Sequence, residues 1–233
     1  PCSTDTSLSY SPVFFPAVSR GLPRIRLCRD RAKNPMPPIM RLAETGDAEQ
    51  VRAIYAPSVT DSAISFESEV PPVSEIAERI RTILERFLWL VCEHEGNVLG
   101  YAYAGPHERR VAYQWSVEVS VYIRADAHRR GVGRGIYRSL LSVLELQGFH
   151  RAYAGITLPN PASVGLHESI GFERLGVYRD VGYKFGDWHD VGWWQLSLKE
   201  KSGPPDPPTP ISDVVESKAW QEAIDEGLGL LRL

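Results

Sequence analysis

The chain is short of several things. Its 233 residues include three cysteines, Cys2, Cys28 and Cys92, and no Cys-x-x-Cys pair. A sparse, odd set gives neither a disulfide framework nor a cysteine zinc site, and fits a reduced, cytoplasmic protein. No apolar run approaches the roughly 20 residues a membrane helix needs, so no membrane association is expected. Net charge is small, −3 from 26 Lys and Arg against 29 Asp and Glu, so no broad basic field draws the chain to nucleic acid. No internal repeat is present, which excludes solenoids and propellers. No glycine loop ends in the Gly-Lys-Ser/Thr of a nucleotide hydrolase.

What remains is an ordinary globular composition, 43% hydrophobic, long enough for one domain with some excess at each end. Residues 1–37 hold Pro1, Pro12, Pro16, Pro23, Pro35 and Pro37, little periodicity, and a basic stretch with only Asp5 and Asp30 as acids. This is expected to be an irregular or disordered extension. It fits an organelle transit peptide or, preferred because the first residue is Pro1, sequence upstream of a start at Met36 or Met40. Residues 38–200 form the expected domain. In residues 201–233, Ser202 to Pro210 is a proline-rich linker. Beyond it, Val214, Val215, Ala219, Trp220, Ala223, Ile224 and Leu228 have amphipathic helical spacing. That helix docks on its own domain or on a partner subunit.

Between these ends strands and helices alternate. Ile39–Leu42 reads as a strand. Thr45 is placed to cap a helix to about Tyr55, with Val51, Ile54 and Tyr55 inward. Ile64–Phe66 is a short strand candidate. Ser74 is placed to cap a second helix with Ile76, Ile80, Ile83 and Leu84 on one face. Trp89–Glu93 and Val98–Ala104 flank His94-Glu-Gly-Asn97, a hairpin signal. Val111–Tyr113 extends or precedes the strand Val117–Ile123. A loop follows, then a helix from about Gly135, with Ile136, Leu140, Leu141 and Leu144 on one face and Gly148 at its end. Arg151–Ile156 is a strand and Ser163–Ile170 a helix stopped by Gly171. Val177–Lys184 and Gly192–Leu198 close the domain around a turn at Gly186-Asp187. The fold class is mixed α/β (α+β), a mostly antiparallel sheet flanked by helices.

The chemistry concentrates in the strand–loop–helix unit. After the β-branched strand come Arg129, Arg130, Gly131, Val132, Gly133, Arg134 and Gly135. Glycines let amide N–H groups converge, and a helix start adds the positive end of its dipole. Such a unit grips a phosphate or diphosphate. The basic-x-x-Gly-x-Gly form points to coenzyme A. Two registers fit, His128-x-x-Gly131-x-Gly133 and Arg130-x-x-Gly133-x-Gly135, and strand spacing favours the first. Trp188-His189-Asp190 is no metal pair, because adjacent strand residues face opposite ways. No metal site is expected.

From about Met40 to Lys199 the chain resembles the GCN5-related N-acetyltransferases, and within them the phosphinothricin and methionine sulfoximine N-acetyltransferase group. The matching segments include Ser65-Phe-Glu67, Gly100-Tyr-Ala-Tyr-Ala-Gly-Pro106, Arg110-Val-Ala-Tyr-Gln-Trp115, Val117-Glu118, Leu158-Pro-Asn160, Leu166-His-Glu168, Gly171-Phe172, Gly182-Tyr-Lys184 and Trp188-His-Asp-Val-Gly192. The resemblance implies a GNAT fold with strands splayed at an acetyl-CoA site, a small-molecule amine substrate, and a homodimer. It implies acetyl transfer to the α-amine of phosphinothricin, methionine sulfoximine or a similar analogue. Another amine acceptor, or a non-catalytic acyl-CoA-binding module, is the alternative. An ammonium has no lone pair, so some group must accept its proton. The resemblance places Glu118 there, and His167 as proton donor to the departing thiolate. Val121, Tyr122 and Ile123 would bond the pantetheine arm by their backbone, as would Asn160. Residues Arg129 to Arg134 would hold the diphosphate, and Ser169 is a further cofactor candidate. Val111, Ala112 and Tyr113, with Glu118, would line the amino-acid pocket, and Arg110 would meet the tetrahedral polar group. His107 stands where the family often has Trp.

Overall fold

The described residues form seven strands, β1 (Ile39–Leu42), β2 (Trp89–His94), β3 (Asn97–Pro106), β4 (Ser116–Ile123), β5 (Arg151–Leu158), β6 (Glu173–Lys184) and β7 (Asp187–Ser197). Five α-helices accompany them among the described residues: α1 (Ala48–Thr60), α2 (Val73–Leu84), α3 (Val132–Leu146), α4 (Pro161–Ile170) and α5 (Lys218–Leu228). This computed structural model describes residues 36–200 and 203–233; the expectations for residues 1–35 lie outside the described residues. The strand order is β1-β2-β3-β4-β5-β7-β6. All neighbours are antiparallel except β4 and β5, so the mixed, mostly antiparallel sheet is as expected.

The sheet is covered on both faces. Val117 and Val119 of β4, with Ala152, Ala154 and Ile156 of β5, join a core with α3 and α5. Trp89, Val91 and Tyr101 face the other way, into a second core with α1 and α2. In α3, Ile136, Leu140 and Leu144 are fully buried, as their spacing requires. The His94–Asn97 hairpin turns through Glu95 and Gly96, both at positive φ, the backbone of a two-residue I′ connection.

Several boundaries differ from the sequence reading, each for a local reason. Thr45 does not cap α1. It starts a 3-10 turn, Thr45–Asp47, capped reciprocally by Glu44 and Asp47. Pro72, not Ser74, precedes α2, and its carbonyl accepts from Glu75 and Ile76. Val111–Tyr113 is a 3-10 turn. α3 begins at Val132 rather than near Gly135, because Gly131 at φ 80° acts as its N-cap. Ile64–Phe66 forms no strand, since Ile64 and Ser65 give their carbonyls to Thr157 and Lys184.

Arg41 on β1 is one anchor that local patterning does not disclose. Its guanidinium donates to both carboxylate oxygens of Asp47 at 2.8 Å and to Glu93 at 2.7 Å. Burial alone would raise the Asp47 carboxyl. The Arg41 bonds and the Glu44 amide outweigh it and hold it below its ordinary value. A depressed carboxyl contributes stability above its unfolded pKa and loses it as pH falls through the native value. Asp47→Asn should therefore cost about 2 kcal/mol at neutral pH. In urea unfolding the gap to the parent should narrow on acidification.

Candidate active site

β4 and β5 pair only from Ser116 opposite Arg151 to Glu118 opposite Tyr153. Beyond that point both strands run on, to Ile123 and Leu158, without pairing to each other. Their splay opens a cleft through the sheet. The β5-facing backbone of Val121, Tyr122 and Ile123 has no strand partner there, so an extended ligand arm can add to β4 as a strand does. One of these groups is already used: the His128 ring bonds the Ile123 carbonyl at 3.0 Å.

The cleft leads to the start of α3. Among the described residues, the amides of Arg129, Arg130, Gly131, Val132, Gly133 and Arg134 have no hydrogen-bond acceptor. Converging free amides at a helix N-terminus suit a diphosphate. The left-handed backbone falls at Arg129 (φ 61°) and Gly131 (φ 80°), which selects the register His128-x-x-Gly131-x-Gly133. Gly133 has only ordinary contacts with Leu166 and Ile123. Gly135 is needed elsewhere, because a Cβ there would lie 2.5 Å from the Gly227 carbonyl. The Arg134 guanidinium is turned aside and donates to the Ser169 carbonyl at 3.1 Å. The Ser169 hydroxyl donates into its own helix at Leu166, so both side chains have a partner within the chain.

Glu118 stands at the last paired position, opposite Gly105 on β3 and Tyr153 on β5. Its neighbours Val117 and Val119 are buried in the α3 core; strand alternation therefore puts its carboxylate on the other face. It makes no hydrogen bond or ion pair among the described residues. Burial, then the negative charge of Glu108, raises its pKa. A half-buried, unpaired carboxylate with a raised pKa beside an open cleft can accept a proton.

Around Glu118 the same face carries aromatic groups. His107 stacks on Tyr153 with centroids 4.2 Å apart, and Tyr113 meets His107 edge-on. Trp193 lies against Gly155 and Tyr178. His107 Nδ1 and Trp193 Nε1 are buried without a partner among the described residues. Such atoms cost about 1–3 kcal/mol each unless a ligand or water pairs with them. His107 is kept neutral by burial, which lowers its pKa. Tyr113 thus reaches the Glu118 region through His107, but Val111 and Ala112 do not. Both are exposed, and Val111 lines a hollow of about 300 Å³ with Glu108, Arg110 and Tyr113 that Glu118 does not itself border.

His167 departs from its expected role. It is 3% exposed, with Phe172 edge-on beside it. Its Nδ1 lies 2.7 Å from the Ser163 carbonyl and its Nε2 3.0 Å from the Tyr137 hydroxyl. A carbonyl only accepts, so Nδ1 carries the proton and the Tyr137 hydroxyl donates to Nε2. Burial lowers its pKa and keeps it neutral. Both nitrogens are engaged, so His167 is not an open proton donor; it holds the Tyr137 hydroxyl. Asn160 caps α4, its side-chain oxygen accepting from the Ser163 amide at 3.1 Å.

Lys184 had no role in the sequence reading beyond its motif. Its ammonium donates to the carbonyls of Val59, Ser65 and Glu67 at 2.7, 2.6 and 2.9 Å. It pins the loop between α1 and α2 onto β6. Gly182 helps, since a Cβ there would strike the Phe66 ring at 2.3 Å. Lys184→Met should cost about 2 kcal/mol and make residues 61–72 a new site of limited proteolysis. No cluster of three or more metal-ligating side chains exists among the described residues. No helix among them is long and apolar enough to cross a membrane.

The chain is similar to several known proteins. A family model described as an acetyltransferase (GNAT) domain matches residues 40–193. A phosphinothricin N-acetyltransferase of Streptomyces viridochromogenes is 40% identical over 175 residues, 75% of this chain and 95% of that protein. An L-methionine sulfoximine/L-methionine sulfone acetyltransferase of Salmonella typhimurium is 32% identical over 71% of this chain and 97% of its own length. The crystal structure of a GNAT superfamily phosphinothricin acetyltransferase from Sinorhizobium meliloti, in complex with acetyl-CoA, superimposes with a TM-score of 0.69. It is 32% identical and the match covers 74% of this chain and 94% of that one.

Proposed function

The chain belongs to the GNAT family of acetyl-CoA-dependent N-acetyltransferases, and on that premise we propose that its acceptor is the α-amine of phosphinothricin, methionine sulfoximine or a similar small amino acid analogue. The observation that carries this reading is the position of Glu118, unpaired and half-buried where β4 and β5 part. Acetyl-CoA supplies the acetyl group as a thioester. The free amides from Arg129 to Arg134 hold its diphosphate, and Val121, Tyr122, Ile123 and Asn160 align the arm along β4. Glu118 accepts the ammonium proton and leaves a nucleophilic amine. His107 Nδ1 and Trp193 Nε1 pair with polar atoms of the acceptor, with Tyr113 packed behind His107. Arg110 meets the anionic end of the substrate. His167 acts as a positioning residue that fixes the Tyr137 hydroxyl on the α3 side of the cleft.

The relatives' names support the acceptor class. A homodimer is part of the same reading, supported by exposed apolar side chains along β6 and β7, among them Tyr178, Tyr183, Phe185 and Trp188. A cytoplasmic setting is supported by Cys92, a free, buried thiol pushed up to about 12 by burial. The test is thiol release from acetyl-CoA across a panel of phosphinothricin, methionine sulfoximine, methionine sulfone, spermidine and a peptide N-terminus. Turnover confined to the first three supports the reading. Preference for spermidine or the peptide overturns the acceptor, and cofactor binding without any turnover overturns transfer.

A further inference from the structure

We propose that the segment following α5 is a brace that holds the diphosphate loop in its binding geometry. The proposal rests on the acetyl-CoA reading above and adds a part of the chain that lies outside the family match at residues 40–193.

α5 packs along α3 through a small-residue contact. The Ser139 hydroxyl donates to the Ala223 carbonyl at 2.9 Å. Gly227 and Gly135 meet backbone to backbone, since a Cβ on Gly227 would lie 2.4 Å from the Gly135 carbonyl. Trp220 and Ile224 are buried on the same side. This docking delivers the residues after α5 to the start of α3. There the Arg232 amide donates to the Arg130 carbonyl at 2.9 Å. The Leu230 carbonyl sits where a Cβ on Gly131 would collide, 2.1 Å away. Leu231 packs against Gly135.

The bonded residue is the informative one. Arg130 lies between Arg129 and Gly131, the two left-handed positions of the loop. A non-glycine residue at φ 61° stays there only when its surroundings hold it. The Arg232 bond and the Leu230 contact supply that hold from outside the loop. None of the segment's carbonyls accepts an amide from Arg129 to Arg134, so those amides keep their donors for a ligand. The free amides stay free while the carbonyl on the far side of the loop is tied down. Ligand affinity then includes ordering that the fold has already carried out.

Proline at position 232 removes the donating amide, whereas alanine keeps it and removes only the side chain. Arg232→Pro is expected to weaken coenzyme A binding about fivefold in titration calorimetry, with Arg232→Ala within about twofold of the parent. Deletion of Arg232 and Leu233, which leaves α5 whole, should match the proline variant. Acetyl-pantetheine, which has no diphosphate, should serve all four proteins equally as acetyl donor. The brace is overturned if the proline and deletion variants bind coenzyme A like the alanine variant. It is also overturned if acetyl-pantetheine loses efficiency in parallel, since that marks general damage. No heat from the intact chain with coenzyme A would sink the acetyl-CoA reading itself, a result distinct from either.

Discussion

Glu118→Gln should lower kcat by about 10²- to 10⁴-fold, the usual worth of a positioned proton acceptor, with acetyl-CoA affinity unchanged. The amide keeps the shape but cannot take a proton. The parent's acid limb should lie above the ordinary carboxylate range, since burial and Glu108 raise the Glu118 pKa, and the variant should lose that limb. The sign for stability is opposite to that for Asp47. A carboxyl raised in the native state costs stability as pH rises from its unfolded to its native value. The Gln variant escapes that cost, so its melting temperature at neutral pH should equal or exceed the parent's. A pH–rate profile with a calorimetric scan reads both. A rate within threefold of the parent would remove Glu118 from the chemistry.

Gly131→Val should weaken acetyl-CoA binding about 100-fold. A β-branched residue at φ 80° costs roughly 1–3 kcal/mol, and the new Cβ would meet the Leu230 carbonyl at 2.1 Å. Relief requires the loop or the brace to move, and either movement misaligns the amides. At about 1.4 kcal/mol per tenfold, some 3 kcal/mol is 100-fold. Gly133→Ala serves as the control. Its Cβ would make only ordinary contacts, so binding should change little. Equal losses at both positions would show that the left-handed cap is not what matters.

Much of the site was legible because its signals are local. Gly131 takes a left-handed φ that favours glycine, Asn160 caps its helix through an amide three residues on, and Gly96 closes a hairpin; each requirement lies within a few residues. The glycine loop announced an anion site for the same reason, although its helix starts earlier than Gly135 suggested. His167 was read less well. Its i−4 partner, the Ser163 carbonyl, was foreseeable as a structural use, but Tyr137 arrives from another helix. Val111 and Ala112 matched a motif, yet a 3-10 turn carries them to the surface. Lys184 gave no sign of its role, because its partners lie far along the chain, and Arg41 joins a nearby partner, Asp47, to the distant Glu93.

The sequence by itself determined a mixed α/β domain with a glycine loop suited to an anion, since burial period and backbone permissiveness are properties of neighbouring residues; the acetyltransferase expectation came from the resemblance to the GNAT family. Only the tertiary structure decided that β7 inserts between β5 and β6, that β4 and β5 part at Glu118, and that α5 returns to α3 rather than projecting outward. Those outcomes depend on strand pairing and on the close approach of Gly135 to Gly227, contacts between distant residues that no local pattern encodes.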